Sequence, residues 1–255
     1  MPPLTLCAPT PLILHILSLA PSLACPGDVL CSVEDLVLRH ASRQGWLGVH
    51  CEGSLFGSLF GLLFWDILFC DRPDVFLTSY QVAPLDFGTD HFYRSRQHLI
   101  AERLGVVARC SDIGNMVAAA WRQHQGTGCV GVAWDTFTEH SLSTIARCLG
   151  AAVVAGGCDL LAQDYRHRRG GMPDLVLYRE ETACGPDGSS VLLSRACRLV
   201  EVKSPLDRLA PKQRIWLHVL AQLGADVAVC DVEVAGAVGI RADDETPLPA
   251  TGSSL

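Results

Sequence analysis

Asp174, Glu201 and Lys203 are ionisable residues set in or at the ends of short apolar runs that read as β-strands. Asp174 follows Pro173 and opens Asp174-Leu175-Val176-Leu177-Tyr178. Glu201, 27 residues further on, and Lys203 close Cys197-Arg198-Leu199-Val200-Glu201-Val202-Lys203. Strands of this kind bury their apolar residues, so two carboxylates and an ammonium among them need compensation. A divalent cation held by the carboxylates, with the amine beside it, supplies it. That arrangement hydrolyses a phosphodiester. The metal polarises the phosphoryl oxygens and lowers the pKa of a bound water. Lys203 would orient that water or balance charge growing on the pentavalent phosphorus.

Alternation along a strand puts Glu201 and Lys203 on one face, with Leu199, and Val202 on the other. Asp174 lies beside Glu201 if its strand and that of Glu201 pair as a hairpin. Mg²⁺ takes oxygen ligands and usually only one or two carboxylates. Asp174, Glu201 and a backbone carbonyl between Glu201 and Lys203 meet that demand. An ordinary surface ion pair between Glu201 and Lys203 would leave the same short pattern. Gly170-Gly171-Met172-Pro173 makes a tight approach to Asp174 with room for a substrate backbone. Lys212 and Gln213 start the next helix, where phosphate is attracted, though a solvated charge at a helix start reads the same way. Arg166-His167-Arg168-Arg169 is a basic cluster suited to phosphate and equally suited to a helix C-terminus. Arg166 is its best single phosphate candidate.

The elements that must position these residues fall into two regimes. Helices are expected from Ser32, a capping residue ahead of Glu34 and Asp35, to about Ala41, from Glu52 to Phe69, and near 95–104, Ile113–His124, Thr138–Leu149 and Asp159–Arg168. The Glu52–Phe69 helix is apolar on nearly all faces, and Gly53, Gly57 and Gly61 let another element pack closely on one of them. Gly156-Gly157 is expected to break or bend the chain. Residues 71–90 read as loop. Strands follow at Asp174–Arg179 and Arg198–Lys203, around a turn-rich Cys184–Ser190. Then come a helix at Pro211–Leu223, with Pro at its first turn and Gly224 beyond its end, and a strand at Ala225–Val232. Helices first, then strand–strand–helix–strand, predict an α/β fold: a mixed sheet flanked by helices, with an N-terminal all-helical portion.

The chain has 255 residues, 49% hydrophobic and 18% charged, which describes a globular chain with ample core. Its net charge of −7 argues mildly against nucleic acid. Residues 163–214 nevertheless carry ten Lys and Arg against seven Asp and Glu. Twelve cysteines show no C-x-x-C spacing, so reduced, mostly buried thiols are expected. Pro11–Ala24 resembles the apolar part of a signal peptide, but the first basic residue is Arg39. Residues 1–30 are therefore expected to lie outside the fold, and 236–255 to be a disordered tail. Leu55–Phe69 is short for a membrane span and carries Asp66, so no membrane partner is expected.

R-G-G-M-P-D-L-V-L and L-V-E-V-K-S-P-L-D-R-L-A-P-K-Q-R-I-W-L resemble the VRR-NUC domain of the PD-(D/E)xK nuclease superfamily. The likeness is closer to the Fanconi-associated nuclease family and extends upstream through C-S-V-E-D-L, E-G-S-L-F-G-S-L-F-G-L-L-F-W-D-I-L-F, P-L-D and T-D-H-F-Y-R-S-R. It implies a restriction-endonuclease-like core at about 161–235 behind a helical part at about 31–160. It also implies 5′-flap endonuclease and 5′-to-3′ exonuclease activity on branched DNA with a 5′-phosphate, dependent on Mg²⁺ or Mn²⁺, in interstrand crosslink repair in the nucleus. By the same resemblance, Glu52, Asp174, Glu201 and the Val202 carbonyl hold metal, Lys203 is catalytic, and Arg166 helps hold the 5′-phosphate. An acid such as Glu52 also suits a helix start with no metal role. Family members carry a ubiquitin-binding zinc finger, a SAP-type module and a helical-repeat region ahead of this part. None is in this sequence, so ubiquitin-dependent recruitment is not expected. Ser204 replaces the usual Gly, and the 180–195 loop is longer than in the family. The competing reading is a non-catalytic module that binds DNA or protein through the same fold. A secreted, disulfide-linked protein would rest on the N-terminal apolar run alone.

Overall fold

The computed structural model describes residues 12–16, 31–184 and 190–232. In chain order the elements are β1 (Leu12–Ile16), α1 (Val33–Arg43), β2 (Leu47–His50), α2 (Ser54–Leu63), α3 (Trp65–Leu68), α4 (Asp90–Ala108), α5 (Ile113–His124), α6 (Glu139–Leu149), α7 (Ala151–Gln163), α8 (Tyr165–Arg168), β3 (Leu175–Cys184), β4 (Ser190–Lys203), α9 (Pro211–Gln222) and β5 (Asp226–Val232). The five strands form one mixed sheet in the order β1-β5-β4-β3-β2. β2, β3 and β4 pair antiparallel, while β4, β5 and β1 pair parallel. The β4–β5 pair is parallel because α9 carries the chain back across the sheet.

Period-two alternation divides the sheet between two cores. Val176, Tyr178, Leu199, Val227 and Val229 face the helical side, with α2 and α5–α7. Leu175, Leu177, Val200, Val202, Ala228 and Cys230 face α1. α2 lies inside the larger core, with every residue from Leu55 to Leu63 buried. Phe56 stacks on Trp216 of α9 at 5.9 Å, so the central helix and the crossover helix share one contact. Gly57 lies against the chain at Gly131, where an added Cβ would stand 2.8 Å from the carbonyl, and Gly61 lies against Val132. The close packing expected of these glycines is present. Their partner is an irregular segment and not a helix.

Several elements depart from expectation. The apolar run from Glu52 is two helices, because the α2 ladder ends at Phe64 before α3 begins. Gly156-Gly157 does not break the chain. Both lie inside α7, where an added Cβ at Gly157 would overlap the Phe56 ring. The pair serves helix-to-helix approach. The expected 159–168 helix is the end of α7 plus the short α8. β3 and β4 run on as a hairpin arm to Cys184 and Ser190, with a register shift at Glu181/Thr182, so most of the expected 180–195 loop is strand.

Residues 1–30 were expected to lie outside the fold, yet Leu12–Ile16 pairs with β5. β5 would otherwise be an edge with unpaired backbone groups, which an apolar extended segment can satisfy. The expected 236–255 tail lies outside the described residues. α1 starts as expected, with the Ser32 side chain accepting from the Asp35 N–H. No described helix is by itself long and apolar enough to cross a membrane. The loop from 71 to 90 is fastened by Asp86, which accepts two bonds from the fully buried Arg96 of α4.

Candidate active site

The β3–β4 register, with Leu175 opposite Val200, carries Asp174 opposite Glu201. Asp174 stands one residue ahead of β3, and its side chain continues the ladder there: the Val202 N–H donates to Oδ2 at 2.7 Å. On the other flank the Asp174 carbonyl accepts from the N–H groups of Cys51 at 2.8 Å and Glu52 at 3.3 Å. The turn after β2 is thus tied to the residue that faces Glu201. Sequence reasoning missed β2, which is four residues long and carries a glycine.

Glu201 is fully buried and Lys203 nearly so. Glu201 Oε1 accepts from Lys203 Nζ at 2.8 Å and from Gln213 Nε2. Oε2 is buried with no hydrogen-bond partner. A buried carboxylate oxygen without a donor is costly, and a cation would remove that cost. Burial pushes the Glu201 carboxyl up to about 7; the Asp174 charge adds to this and the Lys203 amine opposes it. Burial also raises Asp174, against the Val202 N–H and Lys203. Two facing carboxylates in this condition suit a divalent cation between them. The donor set fits Mg²⁺ or Mn²⁺ through Asp174 and Glu201, with the Val202 carbonyl as the nearby main-chain oxygen.

Glu52 does not start a helix. It sits in a left-handed turn at φ 36°, followed by Gly53 at φ 88° and then α2. A non-glycine residue held at positive φ is uncommon and tends to mark functional turns. The Glu52 backbone lies at Asp174, but its carboxylate is exposed and lies 3.1 Å from the His50 ring. Among the described residues, no three His, Cys, Asp or Glu side chains converge as a ready metal cage. His50 was missed; its i, i+2 spacing from Glu52 was the available signal.

The flanking candidates separate. Gly171 leaves no room for a substrate: an added Cβ would stand 2.8 Å from the Lys212 side chain, so the tight approach accommodates the start of α9. Gly170 faces open space. Lys212 is exposed at the first turn of α9. Gln213 is directed at Glu201 and not outward to phosphate. Arg166 is exposed on α8 beside Gly88. From the basic run it is Arg169 that shares a cavity of about 320 Å³ with Glu52, Ser54, Tyr165 and Met172.

Residues 112–234 match the model of the VRR-NUC domain. The chain is 45% identical over 217 residues to Fanconi-associated nuclease 1 of Mus musculus, covering 83% of this chain and 20% of that protein. It is 44% identical to the Danio rerio protein over 84% of this chain and 21% of that protein, and 40% identical to the Arabidopsis thaliana homolog over 82% and 23%. It therefore spans about a fifth of the length of these relatives. The fold is similar to that of paFAN1 in a crystal structure bound to 2nt 5′flap DNA with gap, at a TM-score of 0.73 and 30% identity, over 89% of this chain and 38% of that one.

Proposed function

Since this chain carries a VRR-NUC domain and belongs with the Fanconi-associated nucleases, we propose that it is a metal-dependent DNA nuclease acting on branched DNA. The observation that carries the reading is the pairing of Asp174 with Glu201, whose Oε2 is buried without a donor, next to Lys203. Asp174, Glu201 and the Val202 carbonyl would hold Mg²⁺ or Mn²⁺, and Glu52 would join them by turning away from His50. The bound ion would supply Lewis acidity and an activated water. Lys203, held at Glu201 Oε1, would donate to that water or to a phosphoryl oxygen. Arg169 and Lys212 flank the site with positive charge, and Arg166 lies farther along the same basic run.

A 5′-flap substrate, 5′-to-3′ exonuclease activity, a 5′-phosphate requirement, crosslink repair and a nuclear location belong to the same proposal. They are supported by likeness to proteins several times longer than this chain and by the flap DNA in the paFAN1 structures. The exposed carboxylate of Glu52, facing His50, favours a second reading as a non-catalytic DNA-binding module.

Incubating the chain with a 5′-phosphorylated flap and Mg²⁺ or Mn²⁺, beside Asp174→Ala, separates the two. The expected result is cleavage that the variant abolishes. Folded protein that binds the flap without cutting it would establish the second reading.

A further inference from the structure

We propose that Gln213 is a positioning residue that orients Glu201 toward the metal, an inference that rests on the metal-site reading above. Its side-chain amide is used at both ends. Oε1 accepts from the Ala210 N–H at 2.8 Å, closing the first turn of α9. That bond settles which end of the amide points where, so Nε2 is the end that reaches Glu201 Oε1. Lys203 Nζ donates to the same oxygen. Two donors thus converge on Oε1 while Oε2 has none. A carboxylate held by one oxygen presents the other in a set direction.

Gln213 links the first turn of α9 to the end of β4. α9 is anchored beneath by Trp216, which stacks on Phe56 and donates from Nε1 to the Arg168 carbonyl. The Gly171 approach closes against the Lys212 side chain and the Gln213 backbone. The start of α9 is therefore a rigid mount, and Gln213 transmits its position to Glu201. Outer partners of this kind commonly affect metal affinity as well as turnover.

The test is Mn²⁺ titration of the full chain by calorimetry, with thermal melting in parallel. Gln213→Met keeps the length of the side chain and loses both bonds. Ala210→Pro removes the N–H from which Gln213 Oε1 accepts, at a position whose φ of −67° suits proline. Gln213→Met should weaken Mn²⁺ binding roughly 10-fold, with a smaller loss for Ala210→Pro. A residue that merely capped α9 would lower the melting temperature in both variants and leave Mn²⁺ affinity unchanged. Wild-type affinity in Gln213→Met, or equal losses in the two, overturns the proposal. Should Gln213→Met fail to fold, Gln213→Leu read against Ala210→Pro decides by the same comparison. Wild-type chain that binds no Mn²⁺ would instead overturn the metal-site reading itself.

Discussion

Glu201 divides its oxygens between two tasks. Oε1 is held by Lys203 and Gln213, and Oε2 is buried without a hydrogen-bond partner, which is where the proposed cation would sit. Lys203 is bound to the carboxylate at Oε1, the oxygen it shares with Gln213. Lys203→Ala removes one of the two donors on Glu201 Oε1 but also a positive charge that would repel the cation, so Mn²⁺ binding should survive in calorimetry while flap cleavage falls roughly 10²-fold, the scale of losing one transition-state donor. Loss of affinity in step with rate would deny Lys203 that role. The Asp174 carboxylate has a structural duty as well: it completes the β3–β4 ladder at the Val202 N–H. Its main-chain carbonyl, accepting from the Cys51 and Glu52 N–H groups, ties the turn at Glu52 to the same residue.

Among the elements, α2 decides most. Its first residues follow the Glu52–Gly53 turn, and its flanks are packed on by Gly131, Val132 and Gly157. Gly157 is where α7 passes against Phe56 with no space for a methyl group. Gly157→Ala gains helix propensity but must displace the Phe56 ring, which itself stacks on Trp216. Overpacking of this kind costs about 1–3 kcal/mol. A lower urea midpoint with an unchanged slope would report it, and a midpoint at or above wild type would show that the ring yields freely. The β3–β4 arm beyond Tyr178 extends past the end of β2, which pairs only with Leu175–Tyr178.

Across the whole molecule, the sheet separates a large helical core from a smaller one under α1, and cysteines are buried in both. Cys51, Cys129, Cys158, Cys197 and Cys230 are buried free thiols. Burial pushes Cys51 and Cys129 from the ordinary thiol range up to about 12, and raises Cys158 and Cys197 as well. The sign of the consequence follows from linkage. Below the unfolded thiol pKa both states are protonated and this stability is fully present. Above it the unfolded chain loses protons that the folded chain keeps. Stability should therefore fall as pH rises from about 8.5 toward the raised folded values. Urea midpoints at pH 7 and pH 10 check this, and an equal or higher midpoint at pH 10 would contradict it.

The sequence by itself determined which ionisable residues meet at the strand ends and most of the helices. Acid and amine in apolar strands point to compensation by a cation, because burial of charge is costly wherever the strands lie. Capping at Ser32 and Pro211 in the first turn of α9 act within a few residues, and those helices, with Ile113–His124, formed where expected. Tertiary structure alone decided what depends on distant partners. Leu12–Ile16 became a strand because β5 had an open edge. Gly156-Gly157 stayed helical within α7, where Leu223 packs on the first glycine and Phe56 on the second. Gln213 turned to Glu201 because α9 lies across the strand ends. The short β2 and the Glu52 turn took shape against Asp174, more than 100 residues away in the chain. Contacts over such separations leave no local pattern to read, since each requires the whole sheet to be in place before either partner meets the other.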